Sequence, residues 1–144
     1  MDHPQPPPSF RTRRSIMTPL TWIIIIVAVA AFLLVKRLNQ VKPETAQAWL
    51  DKGALVIDVR SEAEYQERHL PNAINIPVSR LADEIGRYAS NKEQPLLLHC
   101  LSGARSGMGV GTLKKLGYVN VSNLGSYGRA EKIVGAAVGV RKKE

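Results

Sequence analysis

The chain has 144 residues, which suits one small domain plus a tail, and it carries 20 basic against 12 acidic residues. Most of the excess positive charge lies in residues 1–42, which hold six basic residues and one acidic residue. The remainder has few aromatic residues and charges of both signs, which argues against nucleic-acid binding. A single cysteine excludes an internal disulfide, and the scattered histidines show no metal-ligand spacing, so we expect neither a metal nor a cofactor.

The N-terminal part of the sequence predicts a tail followed by a membrane segment. Residues 1–15 are proline-rich and polar, so they are predicted to be disordered. The next twenty residues, from Ile16 to Val35, carry no charge and as a helix would span a hydrocarbon core of ~30 Å. Because charged residues follow at once and no small-residue cleavage site ends the run, a transmembrane helix over 16–37 is favoured over a cleaved signal peptide.

The basic residues on the two sides of this segment nearly balance, so charge gives little indication of its orientation. Three arginines precede it, and Lys36, Arg37 and Lys42 close it or follow it. An unpaired reactive cysteine is safest where thiols are kept reduced, so we expect the domain on the cytoplasmic face of the membrane.

After a linker at 38–43, helices and strands alternate. We predict helices over 43–53, 61–69, 79–89, 106–116 and 127–137, and strands over 54–59, 73–77, 96–99 and 119–124. Ser61 and Glu64 have the spacing of a capping box. This alternation predicts an α/β fold with a central parallel sheet over 44–138, followed by a basic tip at 139–144. Such sheets place their sites outside the carboxyl ends of the strands, which is where Cys100 falls.

The stretch LLLHCLSGARSG, residues 96–107, has the pattern of an anion-binding loop around a reactive cysteine. Successive backbone amides at the beginning of a helix would lower the pKa of Cys100, and Arg105 adds a permanent positive charge. Gly103 permits the tight curl that such a loop needs. A buried structural cysteine is the alternative, since free cysteine is often buried, but the glycine and arginine favour a reactive thiol.

The segment LLLHCLSGARS resembles the active-site loop of rhodanese-like sulfurtransferases, Cys-x-x-Gly-x-Arg-Ser. Upstream, VIDVRSEAEYQERHLPNAINIP resembles the second signature of that family, and LKKLGYVNVSNL resembles the passage after the loop. The residues that match the second signature are Asp58, Val59, Arg60, Glu64, Tyr65, His69, Pro71, Ala73, Asn75, Ile76 and Pro77. The resemblance covers residues 43 to 128 or so, and it implies a rhodanese-like three-layer sandwich.

Cysteine phosphatases resemble His-Cys-x5-Arg, with a loop that admits a phosphate group. Here only four residues separate Cys100 from Arg105, which is the shorter, sulfur-transferring form of the loop. The loop length therefore opposes a phosphatase or an arsenate reductase.

The resemblance implies that Cys100 attacks a sulfur donor such as thiosulfate or a thiol persulfide. The resulting persulfide would then pass its sulfur to cyanide or a thiol, including a protein acceptor. Arg105 would bind the oxyanion of the donor and stabilise the thiolate. The predicted loop that holds the substrate comprises Leu101, Ser102, Gly103, Ala104 and Ser106. Ser106 either bonds the thiolate or caps the following helix.

Four further residues are assigned roles outside the chemical step. Asp58 is predicted to be a buried organiser, and His69 belongs to the architectural part of the second signature. His99 would face away from Cys100, because neighbours on a strand point to opposite faces. Arg60 either lines the mouth of the site or pairs with Glu64 on the helix edge.

Three departures from the family pattern bear on activity. Asn72 replaces the usual glycine, which is a mild change because asparagine tolerates the left-handed conformation. Three glycines, Gly107, Gly109 and Gly111, each cost ~1 kcal/mol against alanine in the predicted helix after the loop, so we expect that helix to fray. The Leu-x-Gly-Gly and tryptophan of the family are replaced by LGSYGRAEKIVG.

Together these features predict a sulfurtransferase that contacts the lipid bilayer through residues 16–37. The alternative is a catalytically weak or inactive module of the same fold that acts as a scaffold or persulfide sink at the membrane. The altered C-terminal edge favours the alternative, and the intact cysteine loop favours the enzyme.

Overall fold

The computed structural model describes residues 18–141, except for the side chains of residues 36–38 and 138–141. The predicted tail at 1–15, the first two residues of the predicted membrane segment and residues 142–144 of the basic tip lie outside this range. The described residues divide into two compact units, one that ends at Leu33 and one that begins at Leu34.

Helix α1 (Pro19–Leu38) contains most of the first unit that the structure describes. It begins just after Thr18, whose carbonyl accepts a hydrogen bond from Thr21 Oγ1 at 2.5 Å. Its large apolar side chains are exposed. Within residues 18–141, no helix is long and apolar enough to cross a membrane, so the transmembrane helix predicted over 16–37 is not found there.

The second unit is built on a four-stranded parallel sheet in the order β2–β1–β3–β4. The strands are β1 (Leu55–Asp58), β2 (Ile74–Asn75), β3 (Leu96–Cys100) and β4 (Val121–Ser126). The helices are α2 (Pro43–Asp51), α3 (Glu62–Glu67), α4 (Leu81–Glu84) with a 3₁₀ turn at Ile85–Arg87, α5 (Ala104–Lys115) and α6 (Tyr127–Arg141). The predicted α/β class with a central parallel sheet is confirmed.

Each face of the sheet is covered by its own hydrophobic cluster, which gives three layers. Leu97 points into the cluster formed with α2 and α6, whereas Leu98 and Cys100 point into the cluster formed with α4 and α5. The alternation follows from the period of two along a strand. All five residues of β3 are buried, so this strand is the centre of the core and fixes which way Cys100 faces.

The predicted helix over 79–89 is wrong in its second half. After Glu84 the backbone tightens into a 3₁₀ turn, in which the Tyr88 amide donates to the Ile85 carbonyl at 3.0 Å. The tighter turn rotates Tyr88 off the apolar face where the sequence placed it, and its side chain is 48% exposed. Ala89 is buried in its place, together with Leu81 and Ile85.

Two local predictions about the backbone are confirmed. Asn72 adopts the left-handed conformation, with a φ of 61°, as expected of an asparagine that stands in place of a glycine. Ser61 and Glu64 form the complete capping box at the beginning of α3.

The predicted fraying of the helix after the loop is wrong, because α5 is continuous over Ala104–Lys115. Gly109 explains part of this. A β-carbon placed there would lie 2.8 Å from Leu98 Cδ2 and 2.9 Å from Leu81 Cδ2, so glycine lets the helix pack closely on the sheet. A β-carbon at Gly111 would meet nothing within 4 Å.

These two glycines give a matched pair of substitutions. Gly109→Ala is expected to lower the free energy of unfolding by about 1 kcal/mol, because crowding in the core outweighs the gain in helix propensity. Gly111→Ala is expected to raise it by up to about 1 kcal/mol, because only the propensity changes. Urea unfolding of the purified chain measures both, and equal stabilisation by the two alanines would contradict the proposed packing role of Gly109.

Candidate active site

Cys100 lies at the carboxyl end of β3, where the chain turns into α5. The Gly103 amide donates to Cys100 Sγ at 3.1 Å. Gly103 is the N-cap residue of α5 and has a φ of 91°, a conformation that favours glycine. The residue types at 100–105 therefore curl the chain so that its amides face the sulfur, as the sequence predicts.

Ser106 and Asn123 support this curl from the side of β4. The Ser106 hydroxyl lies 2.7 Å from Asn123 Oδ1, 3.2 Å from the Gly103 carbonyl and 3.6 Å from Cys100 Sγ. Asn123 donates from Nδ2 to the Gly103 carbonyl at 3.0 Å and accepts the Gly125 amide at 2.9 Å. Both side chains are buried, so Asn123 fixes the position of the hydroxyl next to the sulfur.

Ser106 does not cap the helix, because it is the third residue of α5 and the N-cap makes no side-chain hydrogen bond. Of its two predicted roles, the structure favours contact with the sulfur. Sequence reasoning missed Asn123, since nothing in the residues near position 123 indicates that its amide reaches a loop twenty positions earlier.

The environment of Cys100 lowers the pKa of its thiol on balance. Burial raises this pKa, but hydrogen bonds from the amide and hydroxyl of Ser106 and from the amides of Ser102 and Gly103 outweigh it. The stabilisation comes mainly from the loop itself, where the predicted amides act together with the Ser106 hydroxyl.

Arg105 is held by a carboxylate. Its Nη1 donates to Glu64 Oε2 at 2.7 Å and its Nη2 donates to Glu64 Oε1 at 2.8 Å. The hydrogen bond from Arg105, followed by the bond from the Ser61 amide, lowers the pKa of Glu64 to about 2. The hydrogen bond to Glu64 also raises the pKa of Arg105. Glu64 therefore pairs with Arg105 and not with Arg60, the partner considered from sequence.

Arg60 does not line the mouth of the site, because its side chain is only 6% exposed. It forms a bidentate pair with Asp58, with Nε at 3.0 Å from both carboxylate oxygens and Nη2 at 2.7 Å from Oδ2. It also donates to the Arg68 carbonyl at 2.6 Å and lies over the ring of Tyr127. Arg60 and Asp58 thus form a buried ion pair that ties β1 to the turn after α3.

The two histidines near the signatures have partners other than the sulfur. His99 is fully buried on the other face of β3, where its Nε2 lies 3.7 Å from Asp58 Oδ2. Its burial lowers its pKa, so the ring is neutral at pH 7. His69 is exposed and stacks on Tyr65 with ring centroids 4.1 Å apart.

The remaining loop residues face outward. Leu101 is 61% exposed, Ser102 bridges to Ser126 on β4, and Ala104 begins α5 on its exposed side. Within residues 18–141, no three His, Cys, Asp or Glu side chains lie close enough together to hold a metal ion.

The altered C-terminal edge is occupied by residues from the segment before α2. Gly125 has a φ of 101°, and a β-carbon there would lie 3.1 Å from the Gln40 side-chain carbon. The same Gln40 amide lies 3.5 Å from the position that a Gly103 β-carbon would take. The Val41 amide donates to the Asn123 carbonyl at 2.9 Å. The sequence placed residues 40 and 41 in a linker, but Gln40 lies against Gly103 of the cysteine loop and Val41 is bonded to β4.

The comparisons with known proteins agree with this geometry. The family model of the rhodanese-like domain matches residues 42–128. The chain is 35% identical over 69 residues to the thiosulfate sulfurtransferase PspE of Escherichia coli (strain K12), a match that covers 48% of this chain and 66% of that protein. It is 29% identical over 83 residues to the thiosulfate sulfurtransferase GlpE of Pseudomonas savastanoi, with 58% of this chain and 76% of that protein covered.

Two solved structures are similar to the fold. A rhodanese with anions from E. coli superposes with a TM-score of 0.52 at 32% identity, covering 53% of this chain and 89% of that one. The human single-domain sulfurtransferase TSTD1 gives a TM-score of 0.56 at 27% identity, covering 65% of this chain and 96% of that one. Since the family model matches more than half of the chain, the protein belongs to the rhodanese-like domain family.

The hydrogen bonds around the sulfur make a prediction about Ser106. Ser106→Ala removes a hydroxyl donor from the thiolate, so it is expected to raise the pKa of Cys100. The rate of Cys100 alkylation by iodoacetamide, measured against pH, should have a higher midpoint in the variant. At pH 7 the rate should fall by roughly threefold, and at pH values above both midpoints the two proteins should react alike.

Ser102→Ala is the matched control, because Ser102 affects the thiol through its backbone amide. Its profile should overlay that of the unmodified chain. An unchanged midpoint in Ser106→Ala would show that the Ser106 hydroxyl stays on Asn123 when the thiolate forms.

Proposed function

We propose that the protein is a rhodanese-type sulfurtransferase in which Cys100 carries the transferred sulfur. The observation that carries this proposal is the Cys100 sulfur at the end of β3, held by the Gly103 amide with the Ser106 hydroxyl beside it. A cradle of amides stabilises both a thiolate and the terminal sulfur of a persulfide, since each carries the same negative charge. The sulfurtransferase names of the relatives support the same class of reaction.

The reaction proceeds in two steps. The Cys100 thiolate attacks the outer sulfur of a donor, a new S–S bond forms on Sγ, and the donor leaves with the electron pair of the broken S–S bond. With thiosulfate the leaving group is sulfite. A thiol or cyanide then attacks the outer sulfur of the Cys100 persulfide and restores the thiolate.

A second candidate is a weakly active or inactive module of this fold. The pairing of Arg105 with Glu64 favours it, because the guanidinium expected to bind a donor is already occupied. The altered edge at Gly125 acts in the same direction.

Mass spectrometry of the full chain after treatment with thiosulfate, or with a thiol persulfide, distinguishes the two. Sulfur transfer predicts a gain of one sulfur atom on Cys100 and its discharge by cyanide as thiocyanate. Cys100→Ser, which replaces the nucleophile with a weak one of similar size, should gain nothing. A folded chain that takes no sulfur from either donor would support the inactive module.

We further propose that residues 16–37 hold the domain at a lipid bilayer, with the domain on the cytoplasmic side. The proposal is supported by the uncharged run from Ile16 to Val35 and by the large apolar side chains of α1, which are 40–67% exposed. The reduced thiol that the chemistry needs supports the cytoplasmic side.

Alkaline extraction of membranes tests this anchor in the full chain. The chain should remain in the pellet, and the double variant Ile26→Lys with Ala30→Lys should move to the supernatant, because a lysine in an apolar segment that enters the hydrocarbon costs about 3 kcal/mol. Thr21→Lys is the control, since a lysine near the helix end can reach the interface. A reporter fused after Glu144 that is active only outside the cytoplasm would contradict the orientation.

A further inference from the structure

The guanidinium of Arg105 already binds a carboxylate, in the same geometry that arginine uses to bind an oxyanion ligand. Both terminal nitrogens donate to the two oxygens of Glu64, at 2.7 and 2.8 Å. A planar fork with two parallel hydrogen bonds is also the way in which arginine holds a planar or tetrahedral oxyanion. An oxyanion donor that uses this fork must therefore first displace Glu64.

Glu64 is not free to swing away. Its Oε2 accepts the Ser61 amide at 3.0 Å and the Ser61 hydroxyl at 2.9 Å, as part of the capping box of α3. Its pKa of about 2 means that it stays charged at neutral pH. Glu64 is already held in place by the first turn of α3, so its pairing with Arg105 costs little further conformational entropy. It therefore competes well with an oxyanion for the arginine.

This ion pair also lies next to the reacting sulfur. After the hydrogen bond and the charge of Glu64, the charge of the Cys100 thiolate also raises the pKa of Arg105. Cys100 itself is fully buried. The carboxylate thus pairs with a guanidinium that belongs to the same loop as the nucleophile, and it adds a negative charge at the position of the predicted donor-binding arginine.

We propose that Glu64 is a specificity-determining residue that disfavours sulfur donors bearing an oxyanion, such as thiosulfate, and leaves thiol persulfides as the preferred donor class. The inference rests on the sulfurtransferase function proposed above. Thiosulfate is a dianion whose sulfonate group needs the Arg105 fork, so it meets both an occupied donor and a repelling charge. A hydropersulfide carries no oxyanion beside its reacting sulfur and needs no such fork.

The persulfide reaction balances without any other reactant. The Cys100 thiolate attacks the outer sulfur of the hydropersulfide R–S–SH, and the Sγ–S bond forms as the donor S–S bond breaks. The donor leaves as the thiolate RS⁻, and the proton stays on the transferred sulfur. Cys100 then carries Sγ–SH, which loses its proton to water to give the persulfide anion that the loop amides stabilise, and no electron is exchanged with an outside oxidant or reductant.

Glu64→Gln tests the inference with little change in shape. Glutamine also serves at the third position of a capping box, so the cap on α3 is kept while the charge is removed. In the full chain, kcat/KM for thiosulfate should rise by about fivefold or more, and kcat/KM for glutathione persulfide should change by less than about twofold. Glu64→Asp keeps the charge but shortens the side chain, and it should change the thiosulfate value in the same direction by a smaller factor.

Glu62→Gln is the matched control. Glu62 lies in the same first turn of α3 and forms an exposed ion pair with Arg80. Its substitution by glutamine changes the net charge of the chain by the same amount as Glu64→Gln. Its ratio of thiosulfate to persulfide activity should equal that of the unmodified chain. An equal gain in this control would mean that general charge, and not the Arg105 pair, sets the preference.

Thiosulfate binding to chains that also carry Cys100→Ser separates this inference from the proposed function. Calorimetry should show tighter binding when Glu64→Gln is added, whether or not the chain turns over. If neither donor loads Cys100 but this gain in affinity is seen, sulfur transfer fails while the effect of Glu64 on oxyanions holds. If both donors load Cys100 and Glu64→Gln leaves their ratio unchanged or lowers it, the role of Glu64 is wrong and sulfur transfer holds.

Discussion

A sulfur anion at the end of a buried strand is stable only if hydrogen-bond donors replace the water that it loses, and the whole loop is arranged to supply them. The Gly103 amide approaches Cys100 because Gly103 has a positive φ, and that φ is maintained by the Asn123 amide on its carbonyl. β4 therefore supports a site whose reactive atom belongs to β3. The sheet thus holds in place the several donors that together stabilise the negative charge of the Cys100 thiolate.

Several arginines of the domain are paired with carboxylates. Arg60, Arg68, Arg80 and Arg105 each contact a carboxylate, and the pairs differ mainly in burial. The Arg60–Asp58 pair is buried and holds structure, since removing one partner would leave an unpaired charge in the core. The Arg105–Glu64 pair is part-exposed and belongs to the loop, so a ligand that needs Arg105 must compete with the carboxylate for it.

The sequence was sufficient for the fold class, the position of Cys100 and the opposite orientation of His99, because these follow from strand alternation and from a short motif. It was insufficient for contacts between distant positions. Glu64 and Arg105 are 41 positions apart, and the choice of Arg60 as a partner for Glu64 rested on helix spacing alone. Tyr88 was misplaced because a 3₁₀ turn cannot be distinguished from an α-helix by apolar spacing over so few residues. The fraying expected of α5 was wrong because propensity scales omit the close packing that Gly109 allows.

The contacts of Gln40 and Val41 show that the residues packed around the site begin before the first helix of the domain. The first helix of the domain begins at Pro43, yet Gln40 covers Gly125 and the Val41 carbonyl accepts Arg129 Nη2 at 2.5 Å. A fragment trimmed to the first helix would keep every strand, but it would lose Gln40 beside the loop and the hydrogen bonds of Val41 to β4 and α6. A domain that is transferred to another chain must therefore include residues 40 and 41, just ahead of α2, as well as the cysteine motif itself.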